Sequence, residues 1–160
     1  MDAVERARAQ WAGHRPDVDT TGMAVAARVR RLAALLERAH DDGLGTHGVT
    51  TGEFEVLAAL RRADRPLRAH EVATLTASPG ATLTKRLDRL GAAGLVVRET
   101  LARDRRGVLV SLSDEGRSLV DAAFPEQASR ELAVLSGLDD DERATLTDLL
   151  TRVLATAERG

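Results

Sequence analysis

The chain has 160 residues, of which 43% are hydrophobic, and a formal net charge of −2 at pH 7, which is enough for one compact domain with an ordinary core. It contains no cysteine, so disulfides, thiolate metal sites and thiol redox sensing are excluded. No apolar run approaches the ~20 residues of a membrane span, and the charged N-terminus is unlike a signal peptide, so we expect a cytoplasmic protein with no membrane partner.

Positive charge is concentrated in the middle of the chain. Residues 61–106 contain eleven Arg or Lys and five acidic residues, a local net charge of +6, whereas residues 1–60 carry −2 and residues 107–160 carry −6. A basic block within an acidic chain favours contact with phosphate groups. The aromatic residues are Trp11, Phe54 and Phe124, too few for the stacking surfaces that bind single strands. The composition therefore favours duplex DNA over a single strand.

Helical periodicity dominates the first half of the chain. Apolar spacing predicts a long helix over about residues 21–41, with Gly43 as its left-handed cap. Thr50 and Glu53 have the spacing of a capping box at the start of the next helix. Residues 65–67 then predict a short strand and residues 69–76 a short helix.

Residues 78–113 predict a helix that leads directly into a β-hairpin. Ser78 and Pro79 fit a helix start, with the hydroxyl at the N-cap and proline at the first helical position. Residues 95–100 and 108–112 read as two strands around a polar turn. After them we expect a helix from Ser113 that ends before Pro125, and a last helix after residues 139–142. The predicted fold is α+β and predominantly helical, with a winged helix-turn-helix over residues 50–113.

The helix after Ser78 has the features of a DNA recognition helix. Its apolar residues Leu83, Leu87 and Leu90 define the buried face, so the opposite face meets either solvent or a major groove. Thr82 could contact a thymine methyl group, and Lys85 and Arg89 could bind guanine or phosphate. Arginines at the tip of the hairpin would suit a minor groove. The predicted DNA-binding residues are Ser78, Thr82, Thr84, Lys85, Arg89, Arg103, Arg105 and Arg106.

Two segments resemble the MarR family of bacterial transcription regulators. One is the wing, residues 104–116, which matches the family's Asp-x-Arg pattern followed by Leu-Ser-x-x-Gly, and the other is residues 82–90. The resemblance implies a homodimer whose N- and C-terminal helices interlock, here residues 1–45 and 114–160. It also implies binding to pseudo-palindromic DNA with half-sites about 10 bp apart.

A narrower resemblance is to the PecS-like, urate-responsive branch of that family. It is carried by Trp11 on an extra N-terminal helix, by Glu55, and by Arg86 and Arg98, which are twelve positions apart. The resemblance implies that these four residues bind a small anionic ligand such as urate, which would release a repressor from its operator. Two guanidinium groups suit a planar anion. That branch usually has aspartate where this chain has Glu55.

Other function classes are less well supported by the sequence. His14, His40, His47 and His70 lie in separate elements without nucleophile or metal spacing, and no phosphate-binding glycine loop is present, so we expect neither an enzyme nor a cofactor. The loop with His40, Asp41, Asp42 and His47 keeps a metal sensor open. A tricarboxylate, a phenolic acid or no small-molecule effector at all are the remaining alternatives to urate.

Overall fold

The computed structural model describes residues 1–100 and 108–159, which form seven α-helices and one three-stranded sheet. The helices are α1 (Ala3–His14), α2 (Thr21–Leu44), α3 (Thr51–Ala63), α4 (Ala69–Leu75), α5 (Gly80–Ala92), α6 (Asp114–Val134) and α7 (Asp140–Ala157). A short 3-10 helix, Gly45–His47, joins α2 to α3. Strands β1 (Leu67–Arg68), β2 (Val96–Thr100) and β3 (Val108–Leu112) are antiparallel in the order β1-β3-β2. The mainly helical α+β class predicted from the sequence is confirmed.

The core lies where α3, α5 and the sheet meet. Val56 and Leu57 of α3 are fully buried, as is Val110 at the centre of β3. Leu83, Leu87 and Leu90 of α5 pack in the same cluster, so the predicted buried face of this helix is confirmed. The capping box at the start of α3 is also confirmed, because the Thr50 and Glu53 side chains each bond to the other residue's backbone N–H.

The end of α2 differs from the prediction. Gly43 does not cap the helix but is buried inside it, because the guanidinium of Arg130 on α6 occupies the space that a Cβ atom would need. The left-handed glycine comes five residues later, at Gly48, with φ of 73°. Gly43 is therefore required for close packing against Arg130, whereas Gly48 is the glycine whose backbone conformation favours this residue type.

The start of α5 also differs. Ser78 is not the N-cap, since α5 begins at Gly80 and Pro79 takes the cap position without a side-chain bond. Ser78 belongs instead to the end of α4, where its N–H donates to the carbonyl of Ala73 at 3.1 Å. Ala77, which lies between the end of α4 and Ser78, has φ of 46°. This is the left-handed conformation that often ends helices.

The helix after the hairpin does not stop before Pro125. Helix α6 runs through it from Asp114 to Val134, although an internal proline removes one hydrogen bond and costs roughly 3 kcal/mol. Ala123 and Gln127, on either side of the proline, are both buried, and α6 packs against α2 and α3. Packing of the flanking residues therefore outweighs the proline.

Helices α2 and α7 leave an apolar groove open to solvent. Its volume is about 1000 Å³, and Val25, Val29, Leu149 and Val153 are among its lining residues. Neither α1 nor α7 contains a buried residue. In the described part of the chain no helix has the length and apolar character needed to cross a bilayer. The apolar faces of α2 and α7 that line the groove therefore lack a partner among the described residues.

Candidate nucleic-acid interface

The outer face of α5 is the centre of the candidate interface. Thr82, Lys85 and Arg89 are exposed on it, opposite the three buried leucines. Helix α4 precedes α5 and packs against it, and strand β2 follows α5 and also contacts it. A major groove is wide enough to admit one α-helix. The arrangement is that of a helix-turn-helix with an exposed second helix and an adjacent wing.

Lys85 and Arg89 differ in whether their charge is paired with an acidic side chain of the protein. Arg89 Nε lies 3.2 Å from Glu53 Oε1 on α3, and its side chain is nevertheless 67% exposed. Among the described residues no carboxylate lies within ion-pair distance of Lys85. Lys85 is therefore the cation of α5 whose charge is most available to a phosphate or a guanine, while Glu53 fixes the direction of Arg89.

Glu53 has a second role beside the capping box that the sequence predicts: it also faces Arg89 of the recognition helix. Its carboxylate is almost fully buried, and Oε2 accepts from the Thr50 N–H at 2.9 Å while Oε1 faces Arg89. Burying a carboxylate is favourable only when it is paired and hydrogen-bonded. One buried acid thus secures both the start of α3 and the position of α5.

A second ion pair joins the recognition helix to the wing. Arg98 Nη1 on β2 lies 2.8 Å from Asp88 Oδ1 on α5. In the sheet Arg98 is opposite Val110 of β3. The pair therefore links the orientation of the wing strands to that of α5, and Asp88 is a residue whose role the sequence did not indicate.

Several cations of the basic block pair with acidic side chains of the same chain at the protein surface. Arg61 Nε lies 2.8 Å from Asp121 Oδ1, and Arg65 Nη2 lies 2.8 Å from Glu71 Oε1. The hydrogen bond from Arg61 lowers the pKa of the Asp121 carboxyl below its usual range, and the bond from Arg65 lowers the pKa of Glu71. The charges of both arginines are therefore partly neutralised by these acids, so the positive charge is more localised than the count along the sequence indicates.

The remaining predicted DNA-binding residues fall into three groups. Thr84 is exposed, and its hydroxyl donates to the Gly80 carbonyl at 3.0 Å. Ser78 is buried, and its hydroxyl donates to the Thr76 carbonyl and accepts from Arg86. The tip of the wing lies outside the described residues, and it includes Arg103, Arg105 and Arg106.

Arg86 turns away from the outer face of α5 and back into the protein. Its guanidinium lies against Gly52 in the first turn of α3, where a Cβ atom would collide with it, and Nη1 donates to Ser78 Oγ at 2.7 Å. The side chain is half-buried. Arg86 thus contacts α3 and the turn between α4 and α5 at once.

The four predicted ligand-binding residues occupy separate places in the described chain. Trp11 is 52% exposed and lines a cavity between α1 and α2. Glu55 lines a different cavity, between α3 and α6. The guanidinium of Arg86, on α5, lies against Gly52 of α3, and Arg98 pairs with Asp88. The single chain does not gather the four side chains around one cavity.

The histidines that kept a metal sensor open contact α6. His40 Nε2 lies 3.2 Å from Glu131 Oε1, and His47 Nε2 lies 3.5 Å from Glu126 Oε2. Within the described ranges, no group of three or more His, Asp or Glu side chains has the geometry of a metal site. The two histidines thus each face a different carboxylate.

The chain is similar in sequence and in structure to transcriptional regulators of one family. The MarR family model matches residues 47–107. The HTH-type transcriptional regulator PecS of Dickeya dadantii is 35% identical over 146 residues, covering 90% of this chain and 88% of PecS. The crystal structure of a MarR mutant from E. coli with operator DNA has a TM-score of 0.76 at 26% identity, covering 84% of this chain and 96% of MarR. The structure of BpsR from Bordetella bronchiseptica has a TM-score of 0.75 at 29% identity, and the match covers 81% of this chain and 97% of BpsR.

The exposed helix, the adjacent wing and these likenesses define a winged helix-turn-helix DNA-binding protein. The chain belongs to the MarR family of transcriptional regulators, and its similarity to PecS over nearly the whole length supports the PecS-like branch. It is a DNA-binding regulator of transcription, and the prediction that it is not an enzyme is confirmed by the nature of its relatives.

Proposed function

We propose that the protein is a homodimeric repressor that binds a pseudo-palindromic operator and is released by a small anionic ligand such as urate. The observation that carries the proposal is the outer face of α5, where Thr82 and Lys85 are exposed beside the wing strands. Side chains on such a face read base edges, and phosphate contacts fix the register. Thr84, Arg89 and the arginines of the wing tip complete the proposed DNA contacts. Ser78 is buried and bonded to Thr76 and Arg86, so its proposed contribution is to hold the start of α5 in place.

The proposed dimer interface consists of the flanking helices. The groove between α2 and α7 is lined mainly by apolar side chains, and no part of the chain that the structure describes covers it. Uncovered apolar patches of this kind mark interaction surfaces. Residues 1–45 and 114–160 would then form the dimer, and residues 50–113 the DNA-binding lobe. Two recognition helices related by a two-fold axis would read half-sites about 10 bp apart.

The proposed ligand response centres on Arg86. The PecS-like sequence pattern implies a role for Trp11, Glu55, Arg86 and Arg98 in ligand binding. Arg86 touches both α3 and the turn before α5, so a ligand that draws its guanidinium away would free the base of the recognition helix. The shift is limited by the ligand's difference in affinity for the two states, typically about 1–3 kcal/mol.

A different effector is the alternative within the same function. The DNA binding of BpsR is regulated by 6-hydroxynicotinic acid, and a tricarboxylate or a phenolic acid would equally suit two arginines. A metal ion and the absence of any effector remain weaker alternatives. A cytoplasmic location remains a prediction.

The DNA contact is tested by Lys85→Ala. Fluorescence anisotropy of labelled DNA from upstream of the protein's own gene is measured at several salt concentrations. We expect weaker binding, and a log–log salt slope shallower by about 0.9 for each lost phosphate contact, hence roughly 2 for a dimer. Arg38→Ala on the exposed side of α2 is the matched control. An affinity and a slope equal to the wild-type values would exclude Lys85 from the interface.

The ligand response is tested by Arg86→Ala. We expect Arg86→Ala to bind DNA more weakly than wild type before urate is added, because the contacts of the guanidinium with α3 and Ser78 are lost. When urate is titrated into complexes of equal starting saturation, wild type should release DNA and the variant should show no further release. Arg38→Ala again serves as the control, because it removes an exposed arginine of α2 that belongs to neither the proposed DNA contacts nor the proposed ligand residues. Release of Arg86→Ala at the wild-type urate concentration would defeat the role of Arg86. Wild-type DNA binding that ignores urate would transfer the search to the other anions.

A further inference from the structure

The chain contains a single lysine, and the other 22 of its 23 lysine and arginine residues are arginines. This residue, Lys85, is exposed on the outer face of α5. An arginine side chain keeps its charge in proteins, whereas acylation converts the lysine ammonium into a neutral amide. The one lysine side chain that acylation can neutralise therefore lies on the recognition helix.

The arginines near Lys85 in the chain already contact other side chains of the protein. All three arginines of α5 and β2 have such a partner: Arg86, Arg89 and Arg98. Asp88 lies three residues beyond Lys85, the spacing at which helical side chains meet, but its Oδ1 lies 2.8 Å from Arg98 Nη1. Among the described residues Lys85 has no ion pair, so its charge is fully available to DNA.

The loss of this charge would have a large effect on operator binding. Each phosphate contact made by a lysine contributes about 0.9 to the log–log salt slope, because it releases counterions from DNA. In a two-fold dimer the residue occurs twice. An acylated Lys85 keeps its aliphatic chain but has no cation, so both contacts would be lost together.

The surroundings of Lys85 suit the molecules that carry activated acyl groups. Acyl phosphates and coenzyme A thioesters both contain phosphate. Residues 80–98 contain four basic side chains and one acidic side chain, and a surface with an excess of positive charge attracts anions. The face of α5 that would meet DNA phosphate therefore also attracts the phosphate of an acyl donor towards the amine.

We propose that Lys85 is a modification site for activated acyl groups, and that its acylation releases the protein from DNA. The inference rests on the proposed function, because it requires Lys85 to contact the operator. The ammonium group gives a proton to solvent, and the lone pair of Nζ attacks the acyl carbon to form a C–N bond. The C–O bond of an acyl phosphate breaks and phosphate leaves, or the C–S bond of a thioester breaks and the thiol leaves. A second proton passes from nitrogen to solvent or to the leaving group.

The test treats the full chain with acetyl phosphate in one arm and acetyl coenzyme A in the other. Peptide mass spectrometry measures acetylation at Lys85, and anisotropy measures binding of the same samples to DNA from upstream of the protein's own gene. We expect the acetylated protein to bind about ten-fold or more weakly, with a salt slope shallower by about 2. The donor that reacts identifies the source of the acyl group. No acetylation of Lys85 by either donor, or unchanged DNA binding after it, would overturn the proposal.

Two variants assign the effect to Lys85. Lys85→Arg retains a cation but has no amine to acylate, so its own affinity should be the same before and after treatment. Adding Arg38→Lys to this variant moves the single lysine to an exposed position of α2, where acetylation should leave DNA binding unchanged. Loss of DNA binding on treatment of either variant would refute the site. Untreated wild type is measured first, so a failure of the proposed function is recognised before any donor is added.

Discussion

Replacing Gly116 with alanine is expected to lower the thermal midpoint by roughly 4–8 °C, corresponding to about 2 kcal/mol of unfolding free energy. Gly116 lies in the first turn of α6, where a Cβ atom would collide with the backbone carbonyl of Leu95 and come within 3.3 Å of Leu112 Cδ2. Overpacking costs about 1–3 kcal/mol, and more where backbone must move. Alanine is a better helix former than glycine by about 1 kcal/mol, which offsets part of that cost.

The collision cannot be relieved easily, because the start of α6 is tied to the same turn. Ser113 N donates to the Leu95 carbonyl at 3.2 Å, and Ser113 Oγ donates to the Gly94 carbonyl at 2.6 Å. Moving α6 away from Leu95 would break both bonds and shift the beginning of β2. We therefore expect Gly116→Ala to weaken DNA binding as well as the fold.

Gly91→Ala is the matched control for this prediction. Gly91 lies inside α5, and no atom comes within 4 Å of the position a Cβ would take. Only the higher helix propensity of alanine then changes the free energy of unfolding, so Gly91→Ala should stabilise the protein by up to about 1 kcal/mol. Differential scanning calorimetry of the two variants checks the sign directly. A Gly116→Ala protein as stable as Gly91→Ala would show that the α6–Leu95 approach is looser than described.

Local patterns in the sequence were sufficient for most of the fold. The capping box at Thr50, the buried face of α5 and the two wing strands depend on neighbours within a few residues, and the structure has all of them. The differences arise where distant residues decide. Arg130 occupies the space beside Gly43, and packing around Ala123 and Gln127 carries α6 through Pro125.

The candidate site follows the same division. Exposure of Thr82, Lys85 and Arg89 follows from helical spacing, and the sequence predicted it. The partners of the arginines do not follow from spacing. Arg89 pairs with Glu53, and Arg98 pairs with Asp88. Both acids are on other elements than the arginines they contact, so no pattern along the chain identifies them.

Introducing a charge into the groove between α2 and α7 is expected to abolish operator binding at nanomolar protein. Val153 lines this groove and is 56% exposed in the single chain, so Val153→Glu should leave the monomer folded. In a two-fold dimer the substitution occurs twice. Burying two unpaired carboxylates costs several kcal/mol, and each 1.4 kcal/mol is about a ten-fold change. We therefore expect dimer dissociation about a thousand-fold easier or more.

Loss of the dimer separates the two recognition helices, so each half-site must be bound alone. Sedimentation equilibrium and DNA anisotropy on the same samples measure both effects. Thr151→Glu adds the same charge to an exposed position of α7 that does not line the groove, and it should remain dimeric and bind DNA. A Val153→Glu protein that stays dimeric would remove the groove from the interface. A monomeric variant with wild-type operator affinity would instead show that one recognition helix is sufficient, and the two-fold operator would have to be abandoned.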